Sequence, residues 1–413
     1  MKFLAYLLLL ITSYCSAQLK SGTWRGILLL DSKNNIELPF NFEIKQVKGK
    51  TKLVIQNAKE RIVVEEVVLK KDSLNFKMPI FDSEFKTQII GDTVLVGSWI
   101  NHARNDNNII SFKATFGNKN RFDFPPEKPT SFYDGRWEAC FSPNQQDSSK
   151  VVGVFNHIVG STIVEGTFLT ETGDYRFLEG TEHGGKLYLS CFDGSHAFLF
   201  IAENNCTSIT KGDFYSGNSW HENWVAKRNN SFELRDPETL TYLKNPNEDI
   251  AFSFYNAKGK KISLSDAKYK NKVVIIQIMG SWCPNCMDES AYLSKVYKRY
   301  KTKGLEIIAL AYERTSDAER AKTNLMRLTK RFDIGYDILL TGLTGKDKAA
   351  ASLPFLNNVL AFPTTIFLDR SHKVKSIYTG FSGPATGQAH EKYTFKTESL
   401  INNLLYNEDS LIK

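Results

Sequence analysis

Between Gln18 and Arg228 the apolar residues fall in short alternating runs, among them Trp24 to Leu30, Ile62 to Leu69, Lys186 to Cys191 and Ala197 to Ile201, separated by Gly, Asn and Asp. A period of two puts one face of a strand inward, so this stretch predicts a β-rich region. From about Ile250 the period changes. Lys272 to Ile278 predicts a buried strand, Pro284 to Tyr300 a helix ended by Gly304, and Leu305 to Ala311 the parallel strand that completes a βαβ unit. Ser316 and Glu319 predict a capping box for a second helix running to about Phe332. Thr364 to Leu368 and Lys373 to Tyr378 predict a hairpin around Asp369 to His372, followed by a last helix. That order of elements belongs to an α/β layer structure.

The β-rich stretch repeats itself. Gly22-Thr23-Trp24 matches Gly135-Arg136-Trp137 at a spacing of 113, Leu74 matches Leu187 at 113, Phe81-Asp82 matches Phe192-Asp193 at 111, and Gly97 matches Gly212 at 115. Small insertions between duplicated units produce such drift. Each unit has room for seven or eight short strands, enough for a sandwich or a closed barrel opened by a Gly-x-Trp strand. Phe124 to Pro129 and Asp236 to Asn247 read as linkers. The expected organisation is multidomain: a signal peptide over 1–17, a first β-rich unit over 18–124, a second over 130–230, a linker over 231–249 and an α/β domain over 250–413.

Composition narrows this picture. A hydrophobic content of 42% with 12% aromatics describes globular domains, and the net charge of +8 is spread without a basic run, which argues against a nucleic-acid partner. Met1-Lys2, the apolar Phe3 to Ile11 and the small residues of Cys15-Ser16-Ala17 form the three parts of a secretory signal cleaved near Ala17. The expectation is export to the periplasm or cell envelope. A lipid-modified Cys15 is the alternative, disfavoured by bulky Tyr14. Cleavage leaves five cysteines, Cys140, Cys191, Cys206, Cys283 and Cys286, too few for a disulfide scaffold. Bridges among the first three are left open.

Cys283 and Cys286 share a motif, Trp282-Cys283-Pro284-Asn285-Cys286, placed where a buried strand gives way to a helix. The helix N-terminus favours a thiolate at Cys283, and Pro284 suits the first helical position because its missing N–H needs no partner. Cys283 is thus the expected nucleophile and Cys286 the resolving thiol of a redox disulfide, with no cofactor required. Pro284-Asn285 brings no positive charge to the pair, which favours the reducing direction. A structural zinc site needs two more ligands, and none stands at suitable spacing, so no metal is expected. His183, His196 and His221 are read as loop or packing residues, and Phe214, Tyr215, Trp220 and Trp224 as core or rim.

At these residues the chain resembles the thioredoxin superfamily, and within it the TlpA-like and ResA-like thiol–disulfide oxidoreductases, in a Bacteroidetes-type arrangement with an N-terminal β-rich region. The resemblance covers about Ile250 to the C-terminus and rests on the cysteine motif, the helix behind it, the inserted helix at about 317 to 332, and Phe362-Pro363-Thr364 before the hairpin. It implies protein thiol and disulfide substrates, a membrane-borne electron donor, and a cis Pro363 opposite the cysteines. Trp282, Pro284, Asn285, Phe362, Pro363 and Thr364 would then line the substrate strand. It also implies proton handling by Glu289, which the residues alone read equally well as an exposed acid on the first turns of the helix. Gln277 departs from the buried Asp of thioredoxins proper. Two other readings remain: a peroxidase of the peroxiredoxin kind, although Gly280 stands where its threonine would be, and a binding or adaptor protein whose β-region does the work.

Overall fold

The structure is a computed structural model that describes residues 19–406 except 105, 107, 126, 128–131 and 206. The expected signal segment, Cys15 and Cys206 lie outside the described residues. Among the described residues no helix is long and apolar enough to cross a membrane.

The first unit is a meander of nine strands: β1 (Gly22–Asp31), β2 (Ile36–Val47), β3 (Lys50–Asn57), β4 (Glu60–Val64), β5 (Val67–Leu69), β6 (Ser73–Lys77), β7 (Ser83–Ile90), β8 (Val94–Asn101) and β9 (Ile109–Phe116). β9 returns to pair with β1, and the order runs from β4 through β1 and β9 to β5. The second unit comprises β10 (Gly135–Phe141), β11 (Ser149–His157), β12 (Ile163–Thr170), β13 (Gly173–Asp174), β14 (Leu178–His183), β15 (Lys186–Phe192), β16 (Ala197–Asn204), β17 (Ser208–Ser216) and β18 (Trp220–Arg228). Here β10 pairs with β18 and β11 with β12, which closes the ring. The units are therefore barrel-like and not sandwiches. Each holds nine strands where seven or eight were expected, because pieces as short as β5 and β13 are too brief to show alternation.

Three of the four matched positions fall on strands of the same rank in the two units, Trp24 and Trp137 on the first, Leu74 and Leu187 on the sixth, Gly97 and Gly212 on the eighth, whereas Phe81 lies in the turn after the sixth strand and Phe192 at the end of it. Both tryptophans are fully buried and donate from the indole N–H to the carbonyl four residues earlier, Lys20 at 3.1 Å and Tyr133 at 2.8 Å. Ring side chains fill the second barrel, where Phe141, Phe168, Phe200, Phe214 and Trp224 pack edge to face or stacked. The aromatic cluster read from sequence is divided: Phe214 and Trp224 are buried in the barrel, whereas Trp220, the first residue of β18, is exposed. His183, His196 and His221 pair with Glu127, Asp193 and Asp213. Cys140 and Cys191 are free thiols.

The barrels share packing. On β16 the run Ala197-Phe198-Leu199-Phe200 is buried on both faces. Phe198 and Phe200 enter their own barrel, whereas Ala197 and Leu199, with Phe192, join the core of the first unit. Phe192 stacks on Phe40 at 4.6 Å between ring centroids.

The third layer system is a seven-stranded sheet of β19 (Ser253–Asn256), β20 (Lys261–Ser263), β21 (Val273–Met279), β22 (Leu305–Ala311), β23 (Asp337–Leu340), β24 (Thr364–Leu368) and β25 (Val374–Thr379), in the order β20-β19-β23-β22-β21-β24-β25. Its helices are α1 (Pro284–Tyr300), α2 (Ala318–Phe332), α3 (Lys346–Ser352) and α4 (Gln388–Tyr406). β21 pairs in parallel with β22 and antiparallel with β24. All seven residues of β21 are buried, as expected of a central strand covered on both faces. α2 is capped one residue later than expected. The Asp317 carboxylate, not Ser316, accepts from the N–H groups of Glu319 and Arg320, since a carboxylate one position closer satisfies two free donors at once. The short β19, β20, β23 and α3 were not read from the sequence at all.

Residues 231–249 hold no helix and only one isolated bridge, Leu243 to Leu356. They lie along the α/β layers, held by Thr379 N–H to Pro237 O (3.1 Å), by Tyr242 N–H to the Asn357 side chain (2.9 Å), and by buried Leu240 and Thr241.

Candidate active site

Cys283 is the N-cap of α1, and its sulfur accepts from the Cys286 N–H at 3.3 Å. β21 delivers the chain to this point at the middle of the sheet, and Pro284 takes the first helical position without leaving a buried donor unpaired. Cys283 is 7% exposed and Cys286 fully buried, and both are thiols. The Cys283 S–H donates to Phe362 O at 3.3 Å, across from the cis Phe362–Pro363 peptide. Burial, reinforced by the neighbouring Cys283, pushes the Cys286 thiol well above its ordinary value. Trp282 donates its indole N–H to Tyr312 O (3.0 Å) and meets Phe362 edge to face. Thr364, buried at the start of β24, donates its hydroxyl to Ala361 O. The cysteines, Trp282, Pro284 and the Phe362 to Thr364 turn thus form one cluster.

Glu289 is not an exposed acid. It is fully buried, and its carboxylate accepts from Thr365 Oγ1 (2.7 Å), Tyr393 OH (3.0 Å) and Gln277 Nε2 (2.8 Å). Burial pushes it up to about 7, against the opposing effect of these donors. Gln277 therefore fills the place of the missing buried Asp by holding an acid from the facing helix, and Ser290 in turn donates to Gln277 Oε1 at 3.2 Å. The Glu289 charge acts on Cys286, one turn away on α1.

The second barrel reaches this cluster. Ser195 donates to Trp282 O (3.3 Å), and Gly173 lies against Asn285 so closely that a Cβ there would meet the Asn285 amide nitrogen at 1.9 Å. Fully buried Arg176 binds Asp288 on α1, Glu60 (2.7 Å) and Asp193 (3.5 Å). Asp174 accepts from Gly383 N–H at 2.7 Å. Burial, and after it the neighbouring Asp174 and Glu60, lifts Asp288 to about 7 against the pull of Arg176. Arg176→Met would leave these carboxylates facing one another without a cation. The expected loss is about 3–5 kcal/mol of stability in urea unfolding, and a loss below 1 kcal/mol would show that the cluster is not a structural junction.

Sequence reasoning missed Gly173, Arg176, Ser195, Asp288 and Arg314. None has a motif, and all but Asp288 are far from Cys283 in the chain. Arg314 places near the pair a cation that the Pro284-Asn285 dipeptide does not carry: its guanidinium lies 3.7 Å from the Trp282 ring centroid.

A family model described as Redoxin matches residues 246–391. The thiol-disulfide oxidoreductase ResA of Bacillus thuringiensis subsp. konkukian (strain 97-27) is 30% identical over 145 residues, 35% of this chain and 73% of that protein. The thioredoxin-like protein YneN of Bacillus subtilis (strain 168) is 29% identical over 129 residues, 31% of this chain and 68% of that one. Among solved structures, a thiol-disulfide oxidoreductase from Bacteroides fragilis NCTC 9343 aligns at 24% identity with a TM-score of 0.27, covering 34% of this chain and 96% of that chain.

A central strand running into a helix capped by one cysteine of a close pair, opposite a cis-proline turn, defines a thioredoxin-fold thiol–disulfide oxidoreductase. Within that class the chain belongs to the ResA-type thiol-disulfide oxidoreductases.

Proposed function

We propose that the protein is exported by its N-terminal segment and reduces disulfides of other proteins in the periplasm or cell envelope through the Cys283–Cys286 pair. The observation that carries this reading is Cys283 at the helix N-cap, its sulfur accepting from the Cys286 N–H and lying across from the cis Phe362–Pro363 peptide, an arrangement that sets one thiol to attack and the next to resolve. Cys283 attacks a substrate sulfur and forms a mixed disulfide. Cys286 gives up its proton, attacks the Cys283 sulfur, and releases the substrate thiolate. Glu289, elevated to about 7 and in electrostatic reach of Cys286, takes that proton. The substrate strand lies along Trp282, Pro284 and Asn285 on one side and Phe362, Pro363 and Thr364 on the other. A membrane-borne dithiol donor then restores the reduced pair.

Equilibration with defined glutathione ratios tests the direction. A potential near that of thioredoxin, about −270 mV, is expected; one near that of the strongest bacterial oxidant, about −120 mV, would reverse it.

A further inference from the structure

The residues that would line a substrate strand are closed in. Pro284, Phe362 and Pro363 are buried, Trp282 and Asn285 are partly buried, and Cys283 keeps 7% of its surface. The cover is the β-rich region, which touches the site on both sides of the place a substrate would take. A substrate strand bonds through main-chain groups, and the Trp282 carbonyl is already engaged by the Ser195 hydroxyl at 3.3 Å. Gly173 lies against the Asn285 amide. The Thr172 backbone presses on Gly380, where a Cβ would meet it at 2.6 Å, and Gly380 donates its N–H to Pro363 O at 2.8 Å. From the first barrel, Ile80 and Phe81 pack against the core that contains Cys283 and Phe362, and Asp82 binds Arg320 on α2 at 2.6 Å.

Much of what holds this cover is polar, and the junction has gaps. Asp174 accepts from Gly383 N–H, and Arg176 pairs with Asp288. Cavities of about 280 Å³ and about 750 Å³ open between the second barrel and the start of α4, both lined by Leu169 and Ala389. Domains joined in this way move against each other unless a large apolar interface holds them. The chain crosses between them at one point. Arg136 holds Phe232 O (2.9 Å) and Arg235 holds Glu171 (2.6 Å), so the chain through Arg235 travels with the second barrel. Asp236 O accepts from Thr239 N–H (2.9 Å), Pro237 O accepts from Thr379 N–H (3.1 Å), and Leu240 is buried along the redox layers, so the chain from Asp236 travels with the redox domain.

We propose that the β-rich region is a cap on the redox site, with the Thr172-Gly173 turn and Ser195 standing in the substrate position, and that it swings about Arg235-Asp236 to admit a protein disulfide. The cap rests on the reductase reading above and deepens it. Closed, it keeps bulky thiols and disulfides from Cys283; open, it presents the cis-proline turn to a substrate strand.

Two maleimides of one reactivity and different bulk test the cap. The reduced full-length protein is treated with N-ethylmaleimide or with a long polyethylene-glycol maleimide. In both, the Cys283 sulfur adds across the double bond and a ring carbon takes up a proton. Mass spectrometry of the Cys283 peptide follows the loss of the free thiol, and the ratio of bulky to small rate constants is compared with that of an unstructured cysteine peptide. In the wild type this ratio is expected to lie at least about a hundredfold below the peptide's, because the bulky reagent meets only the open fraction. Gly173→Phe, which wedges the turn away from Asn285, is expected to raise it by about tenfold, and Arg320→Gln, which frees Asp82, by about threefold. Lys52→Gln, which cuts an exposed ion pair with Glu65 inside the first barrel, leaves it unchanged.

A wild-type ratio equal to the peptide's overturns the cap. So does an unchanged ratio in both Gly173→Phe and Arg320→Gln, including equal acceleration with the two reagents, because the contacts would then act on the thiol and not on access. Alkylation needs no turnover, so it judges the cap apart from the reductase reading. That reading fails instead if none of these proteins reduces insulin.

Discussion

With serine at position 283, reduction of insulin disulfides falls by at least about a thousandfold, because a hydroxyl oxygen cannot take the place of a sulfur in thiol–disulfide exchange. The fold is expected to survive the change. Cys283 serves α1 as its N-cap, a position at which serine is a preferred residue, and its hydroxyl accepts from the same Cys286 N–H. Loss of activity with an unchanged unfolding midpoint therefore separates chemistry from stability. The companion change Cys286→Ser leaves the attack intact and removes the resolving thiol, so protein and substrate accumulate as a mixed disulfide on non-reducing gels. A Cys283→Ser protein that reduces insulin at the wild-type rate would refute the assignment of the nucleophile. The β-rich region would then be the working part, with the thioredoxin fold as its scaffold.

The resolving step of the wild-type protein rises with pH through about 7 and loses that limb in Glu289→Gln, whose rate at pH 8 drops by about ten- to a hundredfold. The sign follows from which form works. Only the ionised Glu289 accepts the Cys286 proton, and burial delays its ionisation from 4.5 to about 7. Rapid-quench trapping of the mixed disulfide across this pH range measures the step. An unaltered limb in the variant would show that Glu289 handles no proton.

The same elevation has an opposite effect on stability. A carboxyl raised on folding binds its proton more tightly in the folded chain, so the contribution of Glu289 to stability is greatest below about 4.5, falls between 4.5 and 7, and stays low above. At pH 8 Glu289→Gln is thus expected to raise the unfolding free energy by up to about 3 kcal/mol, with little gain below pH 4.5. The amide can keep the donors of Thr365 and Tyr393 on its oxygen and, with Gln277 turned over, give its NH₂ to the Gln277 oxygen. More stable and less active is the expected outcome.

The Cys283–Cys286 pair, the strand before it and the helix after it were legible because each leaves a local signature: an unbroken apolar run, a proline suited to the first turn, and two thiols at fixed spacing. The duplicated β-region was legible for the same reason, through recurring Gly-x-Trp strands. Its curling into barrel-like units and not sandwiches was not, because β9 meets β1 and β18 meets β10 through pairings about ninety residues apart that no short pattern encodes. Glu289 shows the boundary. Its place on α1 was evident, yet only packing against Gln277, Thr365 and Tyr393 makes it a buried acid instead of a solvated one. Arg176 and Arg314 carry no motif and gain their meaning from what lies opposite them. The sequence by itself determined the cysteine pair and the type of each unit, since period and spacing are local properties. Which charges surround the pair, and that the β-rich region supplies some of them, was decided by the tertiary structure, because Coulomb and desolvation energies depend on distance in space and not along the chain.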